Sequence, residues 1–260
     1  MKTLAVANHK GGVGKTATAR ALGDALAGAG LRVLLVDTDH QGSLTLSCGV
    51  REPAKSLANV YAVAGHPPAT LAEVAQPVAK NLDLAPASLA LAAADAEIVA
   101  RPGREFILAD ALEAVATRYD VAIVDCPPAL GQLVINALVA ADAVLIPAQP
   151  QPVDVAGVRL FLETVARIRA NRRLNPGLSV LGILLTFWDK RLNTHKAAWK
   201  AMQANGWPVL PMRVPRTVRV AEAAAVGQSV LTYDPQNPAA DAYRELAKVV
   251  LKWLRENGTR

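Results

Sequence analysis

Short apolar runs alternate along this chain with longer stretches whose apolar positions recur every three or four residues. Thr3–Asn8 reads as a strand, and Gly14–Ala29 as a helix with small residues on its packed face. Arg32–Val36 is a short apolar strand of the kind buried in a parallel sheet. The strand pattern returns at Leu82–Ala85, Val121–Val124, Ala143–Ile146 and Val180–Leu185. The helical pattern returns at Glu105–Thr117, Leu130–Ala140, Asp154–Asn171, Asn193–Asn205 and Pro238–Arg255. This order predicts an α/β fold: one doubly wound domain over residues 1–260, with a mostly parallel sheet and helices on both faces. Folds of this kind bind ligands at the carboxyl ends of their strands. Three proline-rich pieces, Gly65–Pro68, Gln149–Pro152 and Pro208–Pro215, read as loops too short to link domains, and there is no internal repeat.

Composition narrows the class. Hydrophobic residues make up 52 % of the 260 but aromatics only 4 %, so Ala, Val and Leu must build the core. Cys48 and Cys126 form no CxxC pair, and His9, His40, His66 and His195 show no zinc-ligand spacing. The N-terminus opens as a strand rather than a signal peptide, and no apolar stretch is long enough to span a bilayer. These features predict a reduced, cytoplasmic protein.

Charge divides the chain. Residues 1–150 hold 11 Lys+Arg against 14 Asp+Glu, and residues 151–260 hold 17 against 8. The first part suits a metal–nucleotide engine, and the second carries a field suited to a polyanion.

The sharpest local signal is Lys10-Gly11-Gly12-Val13-Gly14-Lys15-Thr16, which follows the first strand and opens the first helix. This is the context of a P-loop. Its glycines let backbone N–H groups wrap phosphate oxygens at a helix N-terminus. Lys15 is placed for the β- and γ-phosphates of ATP, and the Thr16 hydroxyl for one position on Mg²⁺. With Lys10 at its first position and Gly11 at its second, the loop resembles the deviant Walker A motif of the ParA/MinD family of P-loop ATPases. Two further motifs follow in that family's order. Asp37-Thr38-Asp39-His40-Gln41-Gly42-Ser43 resembles its second signature, with His40 and Ser43 replacing the usual Pro and Asn. Val121–Asp125, an apolar strand ending in Asp, has the Walker B pattern, with Asp125 aimed at the water shell of Mg²⁺; Cys126 reads as packing.

The resemblance implies that Lys10 reaches across a homodimer to the partner's ATP, that Asp37 contacts a metal-bound water, and that Asp39 orients the water attacking the γ-phosphate. Lys10, Lys15 and Asp39 are thus the expected catalytic residues. At Ala17 the family commonly has a second threonine whose hydroxyl helps hold the α-phosphate; here the backbone N–H remains for that task.

In the basic half, Pro215-Arg216-Thr217-Val218-Arg219-Val220-Ala221-Glu222-Ala223 resembles a segment of chromosomal ParA proteins. The resemblance implies that Pro215 and Arg216 border the adenine and that arginines here, Arg216 and Arg219, meet DNA. Leu184–Arg191 resembles another loop beside the nucleotide, which brings Lys190 and Arg191 to the same face. Lys190, Arg191, Lys196, Lys200, Arg213, Arg216 and Arg219 crowd within thirty residues, a pattern that binds phosphates regardless of base sequence. A second basic cluster, Arg167, Arg169, Arg172 and Arg173, sits where cations favour a helix C-terminus.

The expectation is a ParA-like, nucleoid-associated ATPase whose hydrolysis a ParB-type partner stimulates and whose partners are itself and nonspecific double-stranded DNA. Stable membrane association is not expected: a MinD-like membrane ATPase carries an extra amphipathic tail, whereas only Glu256–Arg260 follows the final helical pattern. A DNA-coating protein that binds ATP without cleaving it is the other alternative; Asp39 argues against it.

Overall fold

Strands that are apolar on both faces need cover from both sides, and the chain supplies it by sending helices alternately above and below one sheet. The computed structural model describes residues 1–257. Its strands are β1 (Lys2–Val6), β2 (Val33–Asp37), β3 (Gln76–Ala79), β4 (Leu82–Ala85), β5 (Val121–Asp125), β6 (Ala143–Ala148), β7 (Ser179–Trp188) and β8 (Val209–Pro215). They form one sheet in the order β3-β4-β2-β5-β1-β6-β7-β8, and only the β3–β4 edge pair is antiparallel. The helices are α1 (Lys15–Gly28), α2 (Ser43–Ser47), α3 (Leu57–Val60), α4 (Leu71–Val74), α5 (Ala94–Glu97), α6 (Ile107–Glu113), α7 (Gln132–Ala140), α8 (Pro152–Ala170), α9 (Asn193–Ala204), α10 (Arg219–Ala225), α11 (Val230–Tyr233) and α12 (Pro238–Asn257).

The period of two along each central strand divides the core. Leu4 and Val6, Val33 and Leu35, and Val121 and Ile123 pack with Leu22 and Leu26 of α1 and with Tyr243, Leu246 and Val250 of α12. Their alternates Ala5, Leu34, Val36, Ala122 and Val124 pack on the other face with Leu108, Leu133, Leu138 and Phe161 from α6, α7 and α8. Gly23 lets α1 lie close on the sheet: a Cβ there would stand 2.8 Å from Leu35 Cδ2.

The parallel register fixes the functional end. Val6 of β1 and Asp37 of β2 both stand opposite Asp125 of β5. The segments leaving these three strands therefore start level, at one edge.

The fold class expected from the sequence is present, with corrections at the margins. Pro208–Pro215, read as a loop, contains β8. This strand pairs with β7 alone, and prolines are tolerated on such an edge. The antiparallel β3, which contains Pro77, lies at the opposite edge and was not anticipated. Helix α8 begins two residues early because Pro152, assigned to a loop, is fixed near helical φ and suits the first turn. Helix α12 runs to Asn257, so of the tail Glu256–Arg260 residues 258–260 lie outside the described residues.

Gly23→Val is expected to overpack the α1–sheet contact against Leu35 and to destabilise the chain by about 1–3 kcal/mol. Urea denaturation with an unchanged slope checks it; an unshifted midpoint would show that α1 can move away at no cost.

Candidate nucleotide site

Leaving β1, the chain turns through Gly12 (φ 71°) and Gly14 (φ 83°), left-handed conformations that favour glycine, and enters α1 at Lys15. No side chain caps α1 and its first turn holds no acid. Its N–H groups and the positive end of the helix dipole are therefore directed at the space above the loop, an arrangement that fits phosphate oxygens. The loop is braced from the other side of β1. Thr186 Oγ1 at the end of β7 donates to Val13 O at 2.8 Å, and Gln149 Nε2 donates to Gly12 O at 2.9 Å.

Lys15 is 7 % exposed and its Nζ donates to Lys10 O at 3.0 Å. Burial lowers its pKa, against the pull of the Asp125 charge. Asp125 is 1 % exposed, and among the described residues neither of its carboxylate oxygens makes a full hydrogen bond, although the Thr16 side chain is near enough to ease its charge. Burial first, and the neighbouring Asp37 charge second, push its pKa well up. Asp37 is pushed up to about 6, mainly by burial, although Thr45 donates to its Oδ2 from N (2.8 Å) and Oγ1 (2.7 Å). Two adjacent buried acids, one of them without a full hydrogen bond, fit a cation and its water shell. With the Thr16 hydroxyl at the start of α1, these are the groups that would hold Mg²⁺.

Asp39 follows at the mouth, where its Oδ1 accepts from Gln41 N at 3.0 Å. His40 Nδ1 lies 3.8 Å from that same oxygen. The Thr38 hydroxyl, between the two acids, donates to Asp125 O at 2.6 Å and ties the ends of β2 and β5 together.

A cleft of about 450 Å³ opens over these groups. Gly11, Gly12, Gly14, Lys15, Thr16, Ala17 and Asp39 line one end; Phe187, Thr217, Val220, Ala221, Ala224 and Val230 form an apolar wall. A base would find stacking surface there and phosphates the charged end. Val13, in contrast, is fully buried and serves the loop through its backbone.

A model of the AAA domain family matches residues 1–180. The sporulation initiation inhibitor protein Soj of Bacillus subtilis is 40 % identical over 250 residues, covering 96 % of this chain and 98 % of Soj. The chromosome partitioning protein ParA of Caulobacter vibrioides is 37 % identical over 259 residues, covering 98 % and 96 %. The chain belongs to the Soj/ParA family of chromosome-partitioning P-loop ATPases. Among solved structures, cobyrinic acid a,c-diamide synthase of Mycobacterium smegmatis, with a bound ATP analogue and magnesium, superposes with a TM-score of 0.85 at 35 % identity, over 100 % of this chain and 97 % of that one.

The other residues expected in this Soj/ParA chain are distributed as follows. Pro215 borders a small niche beside Ala17 and Phe187 rather than the main cleft. Arg216 faces a second cleft, of about 420 Å³, on the far side of Phe187 with Gln149, Asp189 and His195. Lys10 points to its own chain, with Nζ 2.7 Å from Oδ1 of the buried Asp154. Among the basic residues, Arg191 is paired with Asp189 at 2.7 Å, and Arg219 with Glu222 at 2.8 Å and Asp234 at 3.6 Å. Arg213 is stacked between Trp188 and Trp199, 4.7 and 4.3 Å from their ring centres, and so belongs to the packing of α9 on β8. Lys190, Lys196, Lys200 and Arg216 are exposed without an acidic partner among the described residues. Sequence reasoning did not single out the apolar wall, Arg20, Thr45 or Asp154. Thr45 and Asp154 carry no motif of their own, and Phe187 sits at φ 51°, rare for an aromatic residue and invisible in sequence.

Both raised acids hold protons in the fold that the unfolded chain gives up. Their stabilising contribution is therefore present at low pH and is lost as pH rises, for Asp37 from about 4 through about 6. Asp125→Asn is accordingly expected to raise the melting temperature of the nucleotide-free chain at pH 7, by roughly 1–3 kcal/mol of stability, and by less at pH 5. Calorimetric melting at the two pH values checks it; a variant less stable than the parent at pH 7 would contradict the electrostatic reading.

Proposed function

We propose that the chain is a DNA-segregation ATPase in which Mg-ATP drives sandwich dimerisation and nonspecific DNA binding, and a ParB-type partner stimulates the hydrolysis that ends both. The observation carrying this reading is that Asp37 and Asp125 end neighbouring strands level with the end of β1, where the P-loop begins, and that the P-loop and Asp39 line one cleft, in a chain of this family. The loop N–H groups from Gly11 to Thr16 hold the phosphates, Ala17 adds its backbone N–H, and Lys15 neutralises the β- and γ-oxygens. Thr16 and, through water, Asp37 and Asp125 would hold Mg²⁺, which would supply charge neutralisation at the phosphates. Asp39 orients the water that attacks the γ-phosphate, and the bond to the β-phosphate oxygen breaks to give ADP and phosphate. This chemistry is mostly positioning and charge stabilisation. The base rests on the Phe187–Val220 wall; Pro215 backs that wall from the adjoining niche, and Arg216, which lines the second cleft beyond Phe187, does not touch the base in this arrangement.

Lys10 gives the switch its trans component. In the single chain it is neutralised by Asp154; in the dimer it turns to the partner's γ-phosphate. Joining two chains also joins two basic faces. Lys190 and Arg216 meet DNA phosphates directly; Arg191 and Arg219 do so by exchanging acidic partners. Linked faces act at high effective concentration, so avidity rises by roughly 10²–10⁴ without a new type of contact. The protein is then nucleoid-associated while dimeric. Among the described residues no helix is long and apolar enough to cross a membrane.

A DNA mobility shift with ADP, with ATP and with a nonhydrolysable analogue, at two salt concentrations, tests the switch. Binding is expected only with ATP or the analogue, with no sequence preference and a steep loss at higher salt. Equal binding in all three states would sink it. Asp154→Asn is expected to free Lys10 and increase the dimer fraction at limiting ATP, read by sizing chromatography; a smaller fraction than the parent's would show that the Lys10–Asp154 pair serves the dimer instead.

A further inference from the structure

The phosphate chemistry leaves one buried cation of the cleft without a task. Arg20 stands on α1 one turn after Thr16, lines the cleft and is 7 % exposed. Its Nε donates to Ser47 O of α2 at 3.2 Å, and its Nη1 is paired with Asp24 one turn further along α1. Its Nη2 has no acceptor among the described residues. A guanidinium has five N–H donors in a rigid plane, and with two contacts made Nη2 is left free to donate into the cleft.

Two other residues lining the cleft bear on what this part of it could hold. Ser229, 4 % exposed, lines the same cleft and its Oγ has no hydrogen-bond partner among the described residues. Ala17, three residues before Arg20 and therefore beside it on the helix, presents only a methyl group to the cleft. The backbone cradle ends in the first turn of α1, because later N–H groups are consumed by the helix itself. A phosphate chain that starts at Lys15 and passes Ala17 thus brings its third phosphate to the edge of the cradle, where the side-chain donor on that helical face is Arg20.

We propose that Arg20 grips the α-phosphate of the bound nucleotide, donating from Nη2 to a non-bridging oxygen while Asp24 and Ser47 O hold the guanidinium in place. The inference rests on the ATP reading above. Planar, always-charged donors suit such an oxygen. The competing reading is that Arg20 only ties α1 to α2.

Calorimetric titration with Mg-ADP, which carries the α-phosphate and is not hydrolysed, separates the two when run on the parent chain, Arg20→Gln and Asp24→Asn, each with a melting curve without nucleotide. Arg20→Gln is expected to weaken Mg-ADP binding by roughly ten- to a hundredfold, the range of one hydrogen bond to a charged group. Asp24→Asn is expected to lower the melting temperature and to weaken Mg-ADP binding clearly less than Arg20→Gln does, since the introduced amide oxygen can still accept from the guanidinium and Ser47 O still holds its Nε. The loss in Arg20→Gln should be the same for ADP and 2′-deoxy-ADP. Parent-like affinity in Arg20→Gln, or equal weakening in both variants, overturns the proposal and leaves a tie between helices. A loss confined to ADP moves the contact to the ribose and overturns the α-phosphate assignment. No binding of Mg-ADP or Mg-ATP by the parent overturns the nucleotide reading itself, an outcome distinct from the others.

Discussion

The carboxylates of Asp37 and Asp125 stand side by side at the ends of neighbouring strands, both out of water, and much of the molecule is arranged to keep them there. Two like charges so placed repel and lose hydration, so each acid prefers its neutral form. Parallel register fixes their separation, Thr38 ties the strand ends together, and Thr45 satisfies one oxygen of Asp37. Asp125 is given less relief, from the nearby Thr16 hydroxyl and the Lys15 charge. Lys15 is itself penalised by burial. The arrangement is electrostatically unfinished, and a divalent cation with phosphate oxygens would complete it, the acids suiting the cation and Lys15 with the uncapped start of α1 suiting the phosphate.

That economy was largely legible in the sequence because each part is local. Apolar strands ending in Asp37 and Asp125 and a glycine turn ending in Lys15 and Thr16 all carry their meaning within a few residues. What escaped is what depends on distant packing. β8 was read as a loop because prolines suppress a strand signal, and only its place at the sheet edge makes them harmless. The apolar wall of the cleft comes from the far end of the chain, and nothing in Val220 or Ala224 announces that α10 will face α1. The pairing of Arg20 with Asp24 has ordinary helical spacing, and burial alone gives it interest.

The basic half shows the same limit from the other side. A count of cations gave residues 151–260 a strong positive field, but a field is not a set of free contacts. Arg213 is held between two tryptophans, and Arg191 and Arg219 are engaged by acids. Surface pairs of this kind are weak, of order 0–1 kcal/mol, and exchange readily for phosphate. The stacked arginine does not, since moving it would unpack α9 from β8. The set of free cations in this region is therefore narrower than the sequence suggested: Lys190, Lys196, Lys200 and Arg216 are exposed without an acidic partner among the described residues.

Lys10 and Asp154 connect these two halves. Asp154 is nearly inaccessible while Lys10 is over a third exposed, so the cost of separating the pair falls on the acid. A buried carboxylate stripped of its cation is unfavourable by several kcal/mol unless something replaces it. A lysine that leaves for a partner's γ-phosphate must therefore be compensated, either by its own gain at that phosphate or by a donor from the incoming chain. In the proposed dimer both sources would exist only when two nucleotide-loaded chains face each other. The pair would then set a threshold: one chain with ATP would keep Lys10 on Asp154, and a second chain with ATP would be needed to draw it out.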